Sequence, residues 1–188
     1  MKKFSSFLIM LLLYLTSSLI NAEIIIDGKL DEDEWKEARQ ITSFYEVFPY
    51  TLNPVEDIRT VILIQESIEG IFLGFKNYQS NESMRSQSHQ RDNERSIADK
   101  NGVTIDFDAD KLSGYQFFVS SSGSIGDATY RNENERSYDW DADWLSAAST
   151  EDGVWYSEMF IPWTVAPMKA QSGERRKVRM AFYRMLAG

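Results

Sequence analysis

Cysteine is absent from the 188-residue chain, and histidine occurs only once. The first absence excludes disulfide bonds and a lipid anchor attached to cysteine. The sequence also contains no G-x-S-x-G element and no metal-binding H-E-x-x-H element, two signatures of hydrolytic enzymes. The stability of the fold must therefore come from an apolar core or from bound ligands.

Positive charge is scarce as well, with 20 lysine and arginine residues against 29 aspartate and glutamate residues. The formal net charge is −9 at pH 7. Nucleic acids and anionic lipid surfaces carry the same sign of charge and would be repelled. We therefore expect neither of them as a partner.

Only the amino terminus holds a long apolar run. Lys2 and Lys3 precede the apolar stretch Phe7–Leu15, and small and polar residues follow before Glu23. This order is typical of a secretory signal peptide, and the apolar run is shorter than the roughly 20 residues that cross a bilayer. We predict a signal peptide at residues 1–22 and one exported domain at residues 23–188, with a retained membrane anchor as the weaker alternative.

Strand patterns dominate the rest of the chain. Apolar and polar residues alternate in short aromatic or β-branched segments that turn residues separate, which is typical of half-buried antiparallel strands. Ile71, Leu73 and Phe75 share one predicted face, as do Val103, Ile105 and Phe107. We predict an all-β antiparallel sandwich from strands at Thr60–Gln65, Gly70–Asn77, Gly102–Asp108, Tyr115–Ser120, Val154–Ile161 and Val178–Arg184.

Gln79–Asp99 is a long polar segment without apolar periodicity. Loops of this length are uncommon in compact domains and are usually functional or disordered. We therefore predict a loop here.

One short helix is predicted at Asp31–Ala38. Asp31 and Glu34 have the spacing of a capping box, and Leu30 and Trp35 have that of a hydrophobic staple. The acidic residues would then lie where the helix dipole favours them. An EF-hand calcium loop is the alternative for this stretch, but the required glycine and bidentate glutamate are missing.

The order of these motifs resembles family 9 carbohydrate-binding modules and their relatives. The resemblance is carried by "IIIDGKLDEDEWKEA", "GIFLGFKN", "VTIDFDAD", "GYQFFVSSSGSIGD", "DWDADW" and "GVWYSEMFIPW", and it covers about Ile24 to Arg184. It implies a jelly-roll-like sandwich, often with calcium, in which aromatic side chains hold a sugar. "YDWDADWLSAASTEDGVWYSEMFIPW" is similar in particular to the N-terminal domain of large exported bacterial proteins that continue into a predicted outer-membrane barrel.

The segment "DWDADW" is the candidate sugar site. In an extended chain Trp140, Ala142 and Trp144 share one face, and exposed aromatic rings can stack on the apolar C–H groups of sugars. We predict Trp140 and Trp144 as the platform, with Tyr138 or Tyr78 as the second wall. The alternative is that both tryptophans belong to the core.

Three aspartates are candidate calcium ligands. Asp106, Asp108 and Asp110 lie on a predicted strand and the turn after it, and Asp127 could join them. Calcium prefers six to eight oxygen ligands, which clustered carboxylates supply. A solvated acidic face is the alternative.

No catalytic residue stands out. The 29 acidic residues offer many carboxylate pairs without marking one, and His89 lies in the polar loop, where an exposed side chain is expected. We therefore predict a non-catalytic carbohydrate-binding module, exported to the periplasm, outer membrane or surface of a bacterium, that serves polysaccharide breakdown or uptake. The alternatives are a plug domain of an outer-membrane barrel without sugar binding, and a haem-binding domain of the same superfamily with a methionine axial ligand.

Overall fold

The computed structural model of the chain describes residues 24–48, 50–53, 59–93, 95–132, 135–171 and 175–187. The predicted signal peptide at residues 1–22 lies outside these ranges. Within them, ten strands form two antiparallel five-stranded sheets. No helix in the described part of the chain is long and apolar enough to cross a membrane. The predicted all-β sandwich is confirmed.

The first sheet has the strand order β1-β2-β3-β9-β8 and the second has the order β10-β4-β5-β6-β7. The strands are β1 Arg39–Ile41, β2 Thr60–Glu66, β3 Gly70–Tyr78, β4 Lys100–Asp106, β5 Ser113–Ser120, β6 Ile125–Arg131, β7 Glu135–Ser137, β8 Leu145–Glu151, β9 Val154–Pro162 and β10 Arg179–Met185.

The alternation read from the sequence sets which side chains enter the core. All six predicted strands are present, with ends within two residues of the predicted bounds. Each sheet sends one face of its strands into the space between the sheets, as period-two alternation requires. The core includes both predicted inward-facing sets: Ile71, Leu73, Phe75, Val103, Ile105 and Phe107.

A second, smaller apolar cluster lies on the outer face of the first sheet. It is formed by the N-terminal strap, which we define as Ile24–Ala38. Trp35 of the strap is buried against Leu63 of β2 and Phe72 of β3. No strand includes the first residues of the strap. The strap therefore covers the sheet by side-chain packing rather than by adding a strand.

The predicted short helix is present as a 3₁₀ helix at Asp33–Glu37, but the predicted capping box is wrong. The residue before the helix is Glu32, and its side chain makes no cap hydrogen bond. One Glu32 carboxylate oxygen instead accepts a hydrogen bond from the Ile25 backbone N–H at 3.0 Å. The helix therefore begins two residues later than predicted, and the Glu32 side chain joins two parts of the strap.

The segment Gln79–Asp99 is a loop, as predicted, and contains one isolated bridge between Ser86 and Ala98 in its described part. Asp99 anchors its end. This buried carboxylate accepts hydrogen bonds from the Gln79 side chain at 2.7 Å and the Arg85 backbone at 3.1 Å. The loop is therefore tied to the sandwich at its base.

Candidate functional site

The segment Asp139–Trp144 crosses from the second sheet to the first, between β7 and β8. A buried carboxylate on β6 holds it in place. Asp127 accepts hydrogen bonds from the Trp144 indole N–H at 2.9 Å and from the Ala142 backbone N–H at 3.2 Å. Arg91, from the polar loop, forms ion pairs with both Asp127 and Asp141. The segment is thus fixed by charge-assisted bonds as well as by its apolar side chains.

Trp144 lies in the core. Only 7% of its surface is exposed, and its ring meets Phe117 edge-on with 5.4 Å between ring centroids. The alternative that the sequence left open, a core tryptophan, therefore holds for Trp144. The inward direction is set by Asp127, which lies beneath the segment and binds the indole nitrogen.

Trp140 occupies a different environment. Its ring packs edge-on against Tyr115 at 5.0 Å and against Phe117 at 5.9 Å, yet it is only partly buried. It lines an open groove of about 590 Å³ at the β5–β6–β7 side of the sandwich. We call this the Trp140 groove. Its volume lies within the range of small-ligand sites.

Polar side chains complete the groove. Ser137 donates a hydrogen bond to the Asp139 carboxylate at 2.9 Å, which orients that acid. Burial raises the pKa of the Tyr115 hydroxyl, and the nearby Asp108 charge adds to this effect, so the phenol stays a neutral hydrogen-bond donor. The other polar lining residues are Thr129, Arg131, Glu135 and Arg136.

Solved structures of sugar-binding proteins share this architecture. A protein from Bacteroides uniformis ATCC 8492, described as a candidate carbohydrate-binding protein, matches with a TM-score of 0.57 at 15% identity, over 79% of this chain and 72% of its own. A family 9 carbohydrate-binding module from Caldicellulosiruptor kristjanssonii in complex with cellotriose matches with a TM-score of 0.50 at 12% identity, over 85% and 79%. A glucose complex of a family 9 module from that organism gives the same TM-score and identity, over 85% and 81%.

The fold is that of a family 9 carbohydrate-binding module. No family model and no curated protein matches the sequence. At such low identity the likeness shows the fold alone, so the ligand must be argued from this chain's own side chains.

Neither of the two tyrosines predicted as alternatives for the second wall lines the Trp140 groove. Tyr138 packs against Arg136, whose guanidinium carbon lies 5.0 Å from the ring centroid, and Arg136 lines the Trp140 groove. Tyr78 lies on the outer face of the first sheet, in a separate groove. Tyr138 is therefore connected to the Trp140 groove only through Arg136, whereas Tyr78 lies in the other groove and cannot form the second wall.

The three candidate calcium ligands contact cations and backbone groups instead. Asp106 accepts hydrogen bonds from the backbone N–H groups of Asp108 at 3.2 Å and Lys111 at 2.8 Å, which shape the turn after β4. Asp108 forms an ion pair with Arg176 at 3.1 Å, and Asp110 forms one with Lys169 at 2.5 Å.

Two of the three carboxylates, Asp108 and Asp110, are therefore paired with cations, and the third is bonded to backbone N–H groups. No group of three or more potential metal ligands occurs within the described ranges. The calcium requirement stays a prediction. Equal melting temperatures in EDTA and in millimolar calcium would contradict it.

His89 is half-buried rather than exposed. Its Nδ1 lies 2.8 Å from the Gln90 carbonyl oxygen, and its Nε2 is buried without a partner among the described residues. The histidine does not line either groove. It therefore contributes nothing to the candidate site.

Several groove residues were not predicted from the sequence. Thr129 and Arg131 lie on β6, and Glu135 and Ser137 lie on β7, two strands that the apolar pattern did not reveal. The alternation of "IGDATYR" was the available signal, because Thr129 and Arg131 fall on the same face as buried Asp127.

Proposed function

We propose that this protein is a non-catalytic carbohydrate-binding module that holds a saccharide in the Trp140 groove. The single observation that carries the proposal is the partly buried Trp140 on the wall of an open groove. Its edge-on contacts with Tyr115 and Phe117 fix the indole without removing it from the groove. A fixed aromatic ring loses little conformational entropy when a ligand binds.

The polar residues around Trp140 have the chemistry that sugar hydroxyls need. Glu135 and Asp139 offer carboxylate acceptors, and Arg131 offers guanidinium donors. In most small-molecule sites, aromatic and apolar contacts supply the affinity and a few polar groups fix the orientation of the ligand. Glucose and cellotriose are the first ligands to test because modules of the same fold bind them.

The cellular setting is part of this proposal. The leader supports export, and the sequence resemblance to N-terminal domains of barrel-bearing bacterial proteins supports a place at the outer membrane. There the module would serve polysaccharide breakdown or uptake by holding the substrate near other components.

The decisive experiment is calorimetric titration of the purified protein with cellotriose and glucose, together with a glycan array. We expect Trp140→Ala to lose about 1–3 kcal/mol of binding free energy, by analogy with the stacking of rings on aromatic side chains. The matched control is Trp163→Ala, because Trp163 is also half-buried but donates its indole N–H to the Ser67 carbonyl, away from the groove. That control should lower stability and leave affinity unchanged.

A second variant separates binding from folding. Asp139 is exposed, so Asp139→Asn should leave the melting temperature unchanged while weakening saccharide binding. If no glycan on the array binds the folded protein, the proposal fails and the plug-domain alternative gains support. A Soret absorbance band after incubation with haem would instead favour the haem-binding alternative.

A further inference from the structure

A second groove, which we call the Tyr78 groove, lies on the outer face of the first sheet. Its volume is about 540 Å³. The floor comes from β2, β3 and β9, and the N-terminal strap forms the wall through residues that include Trp35. It is remote from the Trp140 groove, which involves β5, β6 and β7 of the other sheet.

A lysine between two tyrosine rings marks the floor. The Lys76 ammonium nitrogen lies 5.3 Å from the ring centroid of Tyr78 and 5.7 Å from that of Tyr156. Lys76 and Tyr156 are directly paired across β3 and β9, so the contact is fixed by strand register. Arg59 adds a second cation, 5.2 Å from the Tyr78 ring centroid. Aromatic rings and cations therefore alternate along one line of the sheet.

These two cations differ from the other basic residues of the groove. Lys29 pairs with Asp27, and Lys36 pairs with Asp33. Lys76 and Arg59 have no carboxylate within ion-pair distance among the described residues. The Tyr78 side chain raises the pKa of Lys76, against the opposing effect of burial, so the ammonium group remains charged at neutral pH.

Acidic residues also line this groove, but they do not neutralise the pair. Glu32 uses a carboxylate oxygen to accept a hydrogen bond from the strap backbone. Glu151 and Asp31 are exposed and form no ion pair with the described cations. The chain has a net charge of −9, yet this aromatic surface carries two cations without acidic partners. An external anion would therefore be attracted to it.

We propose that the Tyr78 groove binds an anionic saccharide built from uronic acid units. A uronate carboxylate would accept hydrogen bonds from Lys76 and Arg59, which the tyrosine rings hold on the floor of the groove. Charge-assisted bonds to a carboxylate are roughly twice as strong as neutral ones, so the charge of the saccharide decides the binding. The site is separate from the neutral-sugar site proposed for the Trp140 groove and does not depend on it.

Calorimetric titration of the intact exported chain with trigalacturonate at low salt tests the proposal, with cellotriose as the neutral probe. We expect Lys76→Gln to weaken trigalacturonate binding by about tenfold or more, as loss of a charge-assisted contact implies. The matched control Lys169→Gln removes the same charge from a lysine that is paired with Asp110 outside both grooves, and should change the affinity by less than about twofold. Added salt should weaken binding of trigalacturonate far more than binding of cellotriose.

Two results would overturn the proposal. One is trigalacturonate binding that is absent at low salt or equal in the wild type and Lys76→Gln, with both proteins folded by melting temperature. The other is a loss of trigalacturonate binding in Trp140→Ala, which would assign the uronate to the Trp140 groove. Failure of the neutral-sugar proposal is recognised separately, because it would abolish cellotriose binding and leave trigalacturonate binding intact.

Discussion

Two buried carboxylates, one from each sheet, hold irregular segments against the sandwich by different means. Asp127 on β6 and Glu158 on β9 are both fully buried. Asp127 fixes the segment that carries Trp140 and Trp144. Glu158 fixes the N-terminal strap by accepting hydrogen bonds from the backbone N–H groups of Asp27 at 3.0 Å and Gly28 at 2.7 Å.

The two carboxylates differ in whether a basic side chain pairs with them. Asp127 pairs with Arg91, whereas Glu158 has no basic partner among the described residues and leaves Oε1 without a hydrogen bond. Burial therefore raises the pKa of Glu158 to about 7, and the nearby charges of Glu32 and Asp27 add to the effect, against the two backbone hydrogen bonds. The comparison shows that a buried carboxylate can hold a segment either through an ion pair or through backbone N–H groups alone, and that the one without a basic partner has a raised pKa.

The largest effect is expected at the paired carboxylate. Asp127→Ala should cost about 3–5 kcal/mol of unfolding free energy, because it leaves the Trp144 indole N–H and the Ala142 backbone N–H without their acceptor and removes one of the two carboxylate partners of Arg91. Urea unfolding measures this cost. Asp143→Ala, an exposed acid on the same segment, is the control and should change the stability by less than about 0.5 kcal/mol. Equal small losses in both variants would show that the segment is held by packing alone.

The unpaired carboxylate should make stability depend on pH. Glu158 has a folded pKa of about 7 against an ordinary value of 4.5, so the folded state binds its proton more tightly than the unfolded state. The stabilisation is complete below about pH 4.5 and is lost as the pH rises to about 7, by at most about 3 kcal/mol. Glu158→Gln should remove this part of the dependence in urea unfolding at pH 5 and pH 8. Identical pH profiles for wild type and variant would contradict the assignment.

A smaller effect is expected when only the indole N–H is removed. Trp144→Phe keeps an aromatic ring in the core but loses the hydrogen bond to Asp127, which should cost about 2 kcal/mol because the acceptor is charged. Trp163→Phe is the matched control, since the Trp163 N–H donates to a neutral carbonyl at 3.0 Å. Thermal melts of both proteins check the difference, and a larger loss in Trp163→Phe would refute it.

The smallest effect is expected at Asp31, two residues before the 3₁₀ helix of the strap. Asp31→Ala should cost less than about 0.5 kcal/mol, because the strap is attached through Glu158 and Trp35 rather than through a side-chain cap. A true N-cap would cost about 1 kcal/mol. Denaturant melts that show such a loss would restore the capping box.

Much of the sandwich could be predicted because burial imposes a period of two on each strand. β3 and β4 show this pattern directly, since their inward-facing residues are large and apolar. β8, with the sequence "LSAASTE", could not be recognised because its side chains are small or polar. Its pairing depends on β9, which lies next to it in the first sheet. Strands without their own apolar face become visible only when a neighbour supplies the packing.

The candidate site also has one feature that could be predicted from the sequence and one that could not. Local alternation alone put Trp140, Ala142 and Trp144 on one face of the segment, because side chains of an extended chain point to opposite sides. Tertiary structure decided that this face turns inward, because buried Asp127 binds the Trp144 indole and Arg91 closes over the segment.

In the acidic turn after β4, the positions of the charges could likewise be predicted from the sequence, but their partners could not. The spacing of Asp106, Asp108 and Asp110 followed from the sequence, but the ion pairs of Asp108 with Arg176 and of Asp110 with Lys169 did not. Those cations lie 59 and 68 positions away along the chain from their aspartate partners. Local sequence determines the strands that have an apolar face of their own and which of their side chains share that face, since both depend on neighbouring residues. Only tertiary structure determines which charges meet, because partners distant in the chain come together only once the sheets have packed.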